Sequence, residues 1–160
     1  GGDWTVGFKL AVDYEGGRIT IADIVRLRGS PEEVENAIKN TAVRDGRECA
    51  IHLPQDPGQA GKSQIAYLTK QLMGFTIQSA TVSGDKITRA EPFASQCNVG
   101  NVSMLRAPWN DSLINEMRMF PNGANDDQID AGSLAFQAIT AMSHGVAEII
   151  PIGRMAQSDW

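Results

Sequence analysis

Two alternating apolar runs, a tight turn between them and a capped helix after them fix the fold class of this chain. Thr5 to Val12 and Arg18 to Leu27 read as strands, and Asp13-Tyr14-Glu15-Gly16-Gly17 supplies the turn of a hairpin. Ser30-Pro31-Glu32-Glu33 opens a helix, with Ser at the N-cap, Pro at the first helical position and Glu completing a capping box. That helix runs through Val34, Ala37 and Ile38 to about Val43, before Asp45-Gly46. Glu48 to Leu53 predicts a short strand closed by Pro54-Gln55-Asp56-Pro57-Gly58. Gly61 to Met73 predicts a helix with Ile65, Leu68 and Leu72 inward, and Phe75 to Val82 another strand. The order β-β-α-β-α-β predicts an α/β fold, a mixed sheet flanked by helices.

The second half is less regular. A short helix is expected from Ala90 to Cys97, a strand from Val102 to Leu105 and a helix from Pro108 to Phe120, with Leu113, Met117 and Phe120 inward. A last helix follows, and the tail from about Gly145 stays without assignment. A length of 160 residues predicts one domain over 1–160. No apolar run approaches a membrane span and no signal-peptide pattern opens the chain, so no membrane role is expected. Cys49 and Cys97, with no CxxC pair, point to a reducing compartment and away from a thiolate zinc site. The net charge of −5 argues against a plain DNA-binding module. It argues less against a nuclease, because divalent ions in an acidic centre reverse the local sign.

The stretch Pro121-Asn122-Gly123-Ala124-Asn125-Asp126-Asp127-Gln128-Ile129-Asp130 carries the chemistry. It leads into Ala131 to Met142, which has helical periodicity. On a helical wheel Asp126 and Asp130 fall on the polar face with Ser133, Gln137 and Thr140. Acidic residues complement the dipole of a helix start, which accounts for these two. Asp127 instead flanks the apolar stripe of Ala131, Leu134, Ala135, Ala138 and Met142. A carboxylate turned toward a core needs a basic partner or a metal ion.

Asp56 sits just past a strand end, where α/β sheets place ligands; alone it is also an ordinary Asp-Pro turn residue. Paired with Asp127 it suits Mg²⁺ or Mn²⁺, which prefer hard oxygen ligands and keep positions open for water and phosphate. Lys62, Lys86, Arg89 and Arg106 could line a path for phosphates, or simply form solvated basic faces. Gly58-Gln59-Ala60-Gly61-Lys62-Ser63 fails as a nucleotide-binding loop, because only two residues separate its glycines. His52 and His144 lack ligand spacing.

Several motifs together resemble the C-terminal nuclease domain of tailed-phage large terminases. They are Gly2-Asp3-Trp4-Thr5-Val6-Gly7, Ile24-Val25-Arg26, Ser30 to Val34, Pro54 to Lys62, Gly84 to Ala90 and Phe120 to Ala131, in the family's order across Gly2 to Phe136. The resemblance implies a ribonuclease-H-like fold and a two-metal endonuclease cutting concatemeric double-stranded phage DNA in the host cytoplasm. It implies Asp56 as second acidic ligand and Asp127 as third, with Asp126 and Asp130 beside it. It also implies an ATPase motor domain, a small terminase subunit and a portal protein as partners. Two departures stand out. The family's first carboxylate lies on a strand before the Gly-Asp-Trp-Thr stretch, so the first strand is expected to be missing or truncated and a sheet edge exposed. Asp3, in the following turn, is its nearest substitute. Asn125 stands where a histidine is common. The alternative is a non-catalytic ribonuclease-H-like module for DNA docking or assembly, lacking a complete carboxylate set.

Overall fold

The computed structural model describes residues 3–142 and 157–159. The hairpin forms as the alternation predicts: β1 (Thr5–Asp13) pairs antiparallel with β2 (Arg18–Leu27). Its register slips once. Lys9 faces Asp23 and Leu10 faces Ile21, which leaves Ala22 as an extra residue on β2. Such a bulge reverses the face taken by every later residue of its strand. Ile19 and Ile21 therefore point the same way as Leu10 and Val12, and beyond the bulge Ile24 joins Val6 and Phe8 in that core. Arg26, opposite Val6, is turned to that side as well.

The capping box is formed at the start of α1 (Pro31–Asp45): the Glu33 amide donates to Ser30 Oγ at 3.3 Å, and the Ser30 amide donates to Glu33 Oε2 at 2.6 Å. There follow β3 (Ile51–Gln55), α2 (Gln59–Gln71), β4 (Ile77–Thr81), α3 (Lys86–Asn98), β5 (Val102–Met104), α4 (Asn110–Met119), α5 (Asp127–Met142) and β6 (Gln157–Asp159). Two of the boundaries that differ from expectation do so for clear local reasons. The third strand continues past Leu53 because Pro54 and Gln55 stay in register with Ala80 and Thr81 of β4. The third helix starts at Lys86, four residues early, because the Asp85 carboxylate caps it, accepting from the Thr88 amide at 2.9 Å. The last helix starts at Asp127, as its acidic opening predicts, and Asp127 and Asp130 lie within its first turn.

Among the described residues the strands form one mixed sheet in the order β4-β3-β6-β1-β2-β5. Of the unassigned tail, only 157–159 are described. They run parallel to β1 and antiparallel to β3, in the position where a strand was expected to be lacking. The sheet is thus continuous there, and its edges are β4 and β5. Helices α3, α4 and α5 cover the face bearing Phe8, where Phe93 meets Phe8 edge-on at 6.1 Å and stacks on Phe136 at 5.6 Å. Gly132 lets α5 lie close to β1, since a Cβ there would come within 3.0 Å of the Phe8 ring. The opposite face carries Lys9, whose Nζ reaches Asp45 Oδ1 of α1 at 3.0 Å. A second core joins Ile38 and Ala42 of α1 to Ile51, Leu53, Leu68 and Leu72.

His52 on β3 is partly buried, and burial lowers its pKa to about 4. The unfolded chain therefore takes up the proton first as pH falls. The stability tied to neutral His52 is complete above pH 6.5 and is lost as pH drops toward 4. The full effect is at most roughly 3 kcal/mol. Denaturant unfolding at pH 7.5 and pH 5 should show a larger loss for the wild type than for His52→Gln. Equal losses would remove His52 from the explanation.

Candidate functional site

Strand register brings distant residues to one end of the sheet. Ile51 of β3 and Lys9 of β1 both pair with Asp159 of β6, so they stand level on strands running in opposite directions. Continuing that register puts Gln55 level with Thr5 and Asp56 level with Trp4, two strand spacings or about 10 Å apart. The C-terminal ends of β2, β3 and β4 and the start of β1 thus share the end where α/β sheets build ligand crevices. Helix α5 begins there too. Asp127, Asp130, Ala131 and Leu134 line a cavity with Trp4, Thr5 and Val6.

The three carboxylates that open α5 have different environments. Asp126 Oδ1 pairs with Lys86 Nζ at 2.8 Å, an exposed contact of little energetic weight. Asp130 Oδ1 accepts from Arg89 Nη2 at 2.7 Å, and Arg89 is buried. Asp127 has no ion pair among the described residues. Its carboxyl is pushed above the ordinary carboxylate range by burial first, then by the charges of Asp126, Glu116 and Asp3, with Lys86 opposing. The misfit expected from the helical wheel is therefore real: Asp127 is partly buried among other carboxylate charges, with Lys86 as the opposing one.

Other expected residues are distributed as follows. Asp3 is exposed and close enough for its charge to act on Asp127. Asp56 is exposed in the turn between β3 and α2. Gly61 holds that turn tight, because a Cβ at Gly61 would overlap the Asp56 carbonyl oxygen. Lys62 is exposed on the first turn of α2, and Arg106 is exposed just beyond β5. Lys86 is half exposed. Arg89, expected on a path for phosphates, is turned inward: besides Asp130 its Nη1 donates to the carbonyls of Ser83 at 3.3 Å and Gly84 at 2.6 Å.

Two features escaped the sequence reading. Glu116 of α4 is only 7% exposed, and its carboxylate accepts the amides of Gln128 and Ile129 at the start of α5. The signal was available, since Glu116 shares an inward face with Leu113, Met117 and Phe120. The second is a cationic cluster. The guanidinium groups of Arg26 and Arg28 lie 3.9 Å and 4.4 Å from the centre of the Trp4 ring, beside the Asp127 cavity. The β2 bulge conceals this from simple alternation. Among the described residues, no three His, Cys, Asp or Glu side chains are drawn into a metal-sized group.

A mixed sheet flanked by helices, with carboxylates from a strand start, a strand end and a helix start toward one end of its strands, fits the ribonuclease-H-like class of α/β protein. The family model described as the terminase RNaseH-like domain matches residues 1–138. The chain belongs to that family, and the resemblance of the motifs, across Gly2 to Phe136, is borne out over its whole extent. It is a module of the terminase nuclease type. No curated protein and no solved structure matches it. Among the described residues no helix is long and apolar enough to cross a membrane.

Proposed function

We propose that this domain is the endonuclease of a phage terminase large subunit, cutting double-stranded concatemeric DNA with the help of two Mg²⁺ or Mn²⁺ ions. The observation that carries this reading is Asp127, a partly buried carboxylate raised in pKa by burial and by neighbouring carboxylates, with no ion pair among the described residues. Its donor chemistry fits a hard divalent ion. Asp127 and Asp56 are the ligands, with Asp3 as a further carboxylate whose charge reaches Asp127. Asp126 and Asp130 stand on either side and fix the first turn through Lys86 and Arg89. Bound ions would generate a water nucleophile at neutral pH and offset charge on the phosphate and leaving oxygens.

The chain's own residues bind and orient the duplex. Exposed Lys62, Lys86 and Arg106 meet backbone phosphates, which give affinity without sequence readout. Arg89, committed to Asp130, contributes its charge from behind the site. The motor domain, small subunit and portal are its partners, and the host cytoplasm its place of action, on the strength of family membership.

That no three metal-ligating side chains are assembled among the described residues favours a second reading, a docking or assembly module of the same fold. Supercoiled plasmid separates the two. Relaxation or linearisation in Mn²⁺, abolished by EDTA, supports the nuclease. Intact plasmid at millimolar Mn²⁺, with DNA still retarded on a gel, supports the docking module.

A further inference from the structure

Helix α5 opens without a local side-chain cap at its second and third amides. Asp126 stands at the N-cap position, since the Asp130 amide donates to its carbonyl at 2.9 Å, yet its carboxylate is turned to Lys86. A local cap would satisfy the amides of Gln128 and Ile129. They donate instead to Glu116 Oε1, at 2.6 Å and 3.1 Å. Glu116 Oε2 accepts from Gln128 Nε2 at 2.6 Å, and Gln128 is fully buried. One carboxylate from α4 therefore grips the backbone and the side chain of the residue next to Asp127.

The grip extends further. Gln128 Nε2 also donates to Ser112 Oγ at 3.2 Å, and Arg26 Nη1 donates to the same hydroxyl at 2.9 Å. Arg26 lies against Trp4, which lines the Asp127 cavity. The first turn of α5 is thus tied to β2 and to the start of β1. A buried carboxylate is costly unless every lone pair is used, and a helix N-terminus is where its charge is best tolerated. Asp127 is the first residue of the turn whose next two amides are held, so the direction of its Cα–Cβ bond is set by Glu116.

We propose that Glu116 is a positioning residue: it replaces the local cap of α5 so that Asp127 is held in a fixed orientation toward its metal ion. This rests on the reading of Asp127 as a metal ligand. Glu116 acts through backbone direction, so its loss changes metal affinity, which loss of a merely structural residue would not. Partners that orient metal ligands typically change affinity about 10–100-fold when altered.

The test uses the whole chain with Glu116→Gln, Glu116→Asp and Glu116→Ala. Mn²⁺ affinity is read by electron paramagnetic resonance, and exchange of the Gln128 and Ile129 amides by NMR, well below each melting temperature. Glu116→Gln keeps an acceptor aimed at both amides, while its new NH2 can be met by the otherwise unpartnered Gln128 Oε1 on a turn of that side-chain amide. It should bind Mn²⁺ within about threefold of wild type, with both amides still protected. Glu116→Asp withdraws the carboxylate by one methylene and should speed exchange of both amides and weaken Mn²⁺ binding at least about tenfold. Glu116→Ala should behave likewise; if it does not fold, Glu116→Asp decides. Wild-type Mn²⁺ affinity in Glu116→Asp, whatever its melting temperature, overturns the proposal. A wild-type protein that takes up no Mn²⁺ refutes the metal reading, and unchanged amide protection in Glu116→Asp would then separately refute the cap.

Discussion

Asp127→Asn is expected to leave the domain folded and to reduce Mn²⁺-dependent cutting of plasmid DNA by about a thousandfold. Metal-borne stabilisation of a phosphoryl transition state amounts to several kcal/mol, and each 1.36 kcal/mol is tenfold in rate. An amide replaces an anionic ligand with a neutral one of the same shape, so the loss reads on the charge. Stability should move the opposite way. The Asp127 carboxyl is raised in pKa, so its ionised form weakens the metal-free fold as pH climbs through that value. Asp127→Asn removes this penalty and should melt at or above the wild-type temperature at pH 7 without metal. The gap should close as pH falls toward the ordinary carboxylate value of 3.8. Lost activity with gained stability is the mark of a residue kept for function. Equal cutting by the variant would refute the assignment.

Arg89→Leu is expected to give the largest loss of stability. Arg89 is buried, holds Asp130 at 2.7 Å and binds the carbonyls of Ser83 and Gly84 ahead of α3. It joins α3 to α5 just behind Asp127. Breaking a buried pair from one side costs about 3–5 kcal/mol. The Asp130 side chain is 25% exposed, and solvent relieves part of that, so about 2–3 kcal/mol is expected here. In a protein of this size that lowers the melting temperature by roughly 4–12 °C. Adding Asp130→Asn should recover part of the loss, because the stranded charge goes with it. Calorimetry on the two variants decides this. An unchanged melting temperature in Arg89→Leu would mean that the pair does not tie α3 to α5.

The elements were legible wherever local chemistry dictates them. The hairpin follows from alternation and a Gly-rich turn, and α1 from a capping box whose two hydrogen bonds both form. The misfit of Asp127 was legible as well, because helical periodicity alone sets it against an apolar stripe. What remained hidden depends on contacts between distant segments. The Ala22 bulge turns Arg26 toward α4, and counting alternate residues from Ile19 and Ile21 puts it on the wrong face. Arg89 sits in a motif that suggests phosphate contact, but its partner is forty-one residues away on α5. Glu116 shows the same inward misfit as Asp127, yet the amides it satisfies belong to another helix. The β6 position could not be read at all, since pairing between β1 and β3 is a property of the sheet and not of residues 157–159.

Anomalous diffraction from Mn²⁺-soaked crystals tests the proposed chemistry most directly. Density is expected about 2.0–2.3 Å from an Asp127 carboxylate oxygen, at the end of the sheet shared with Asp56 and Asp3. Density confined to other carboxylates, with Asp127 bare at millimolar Mn²⁺, would contradict it.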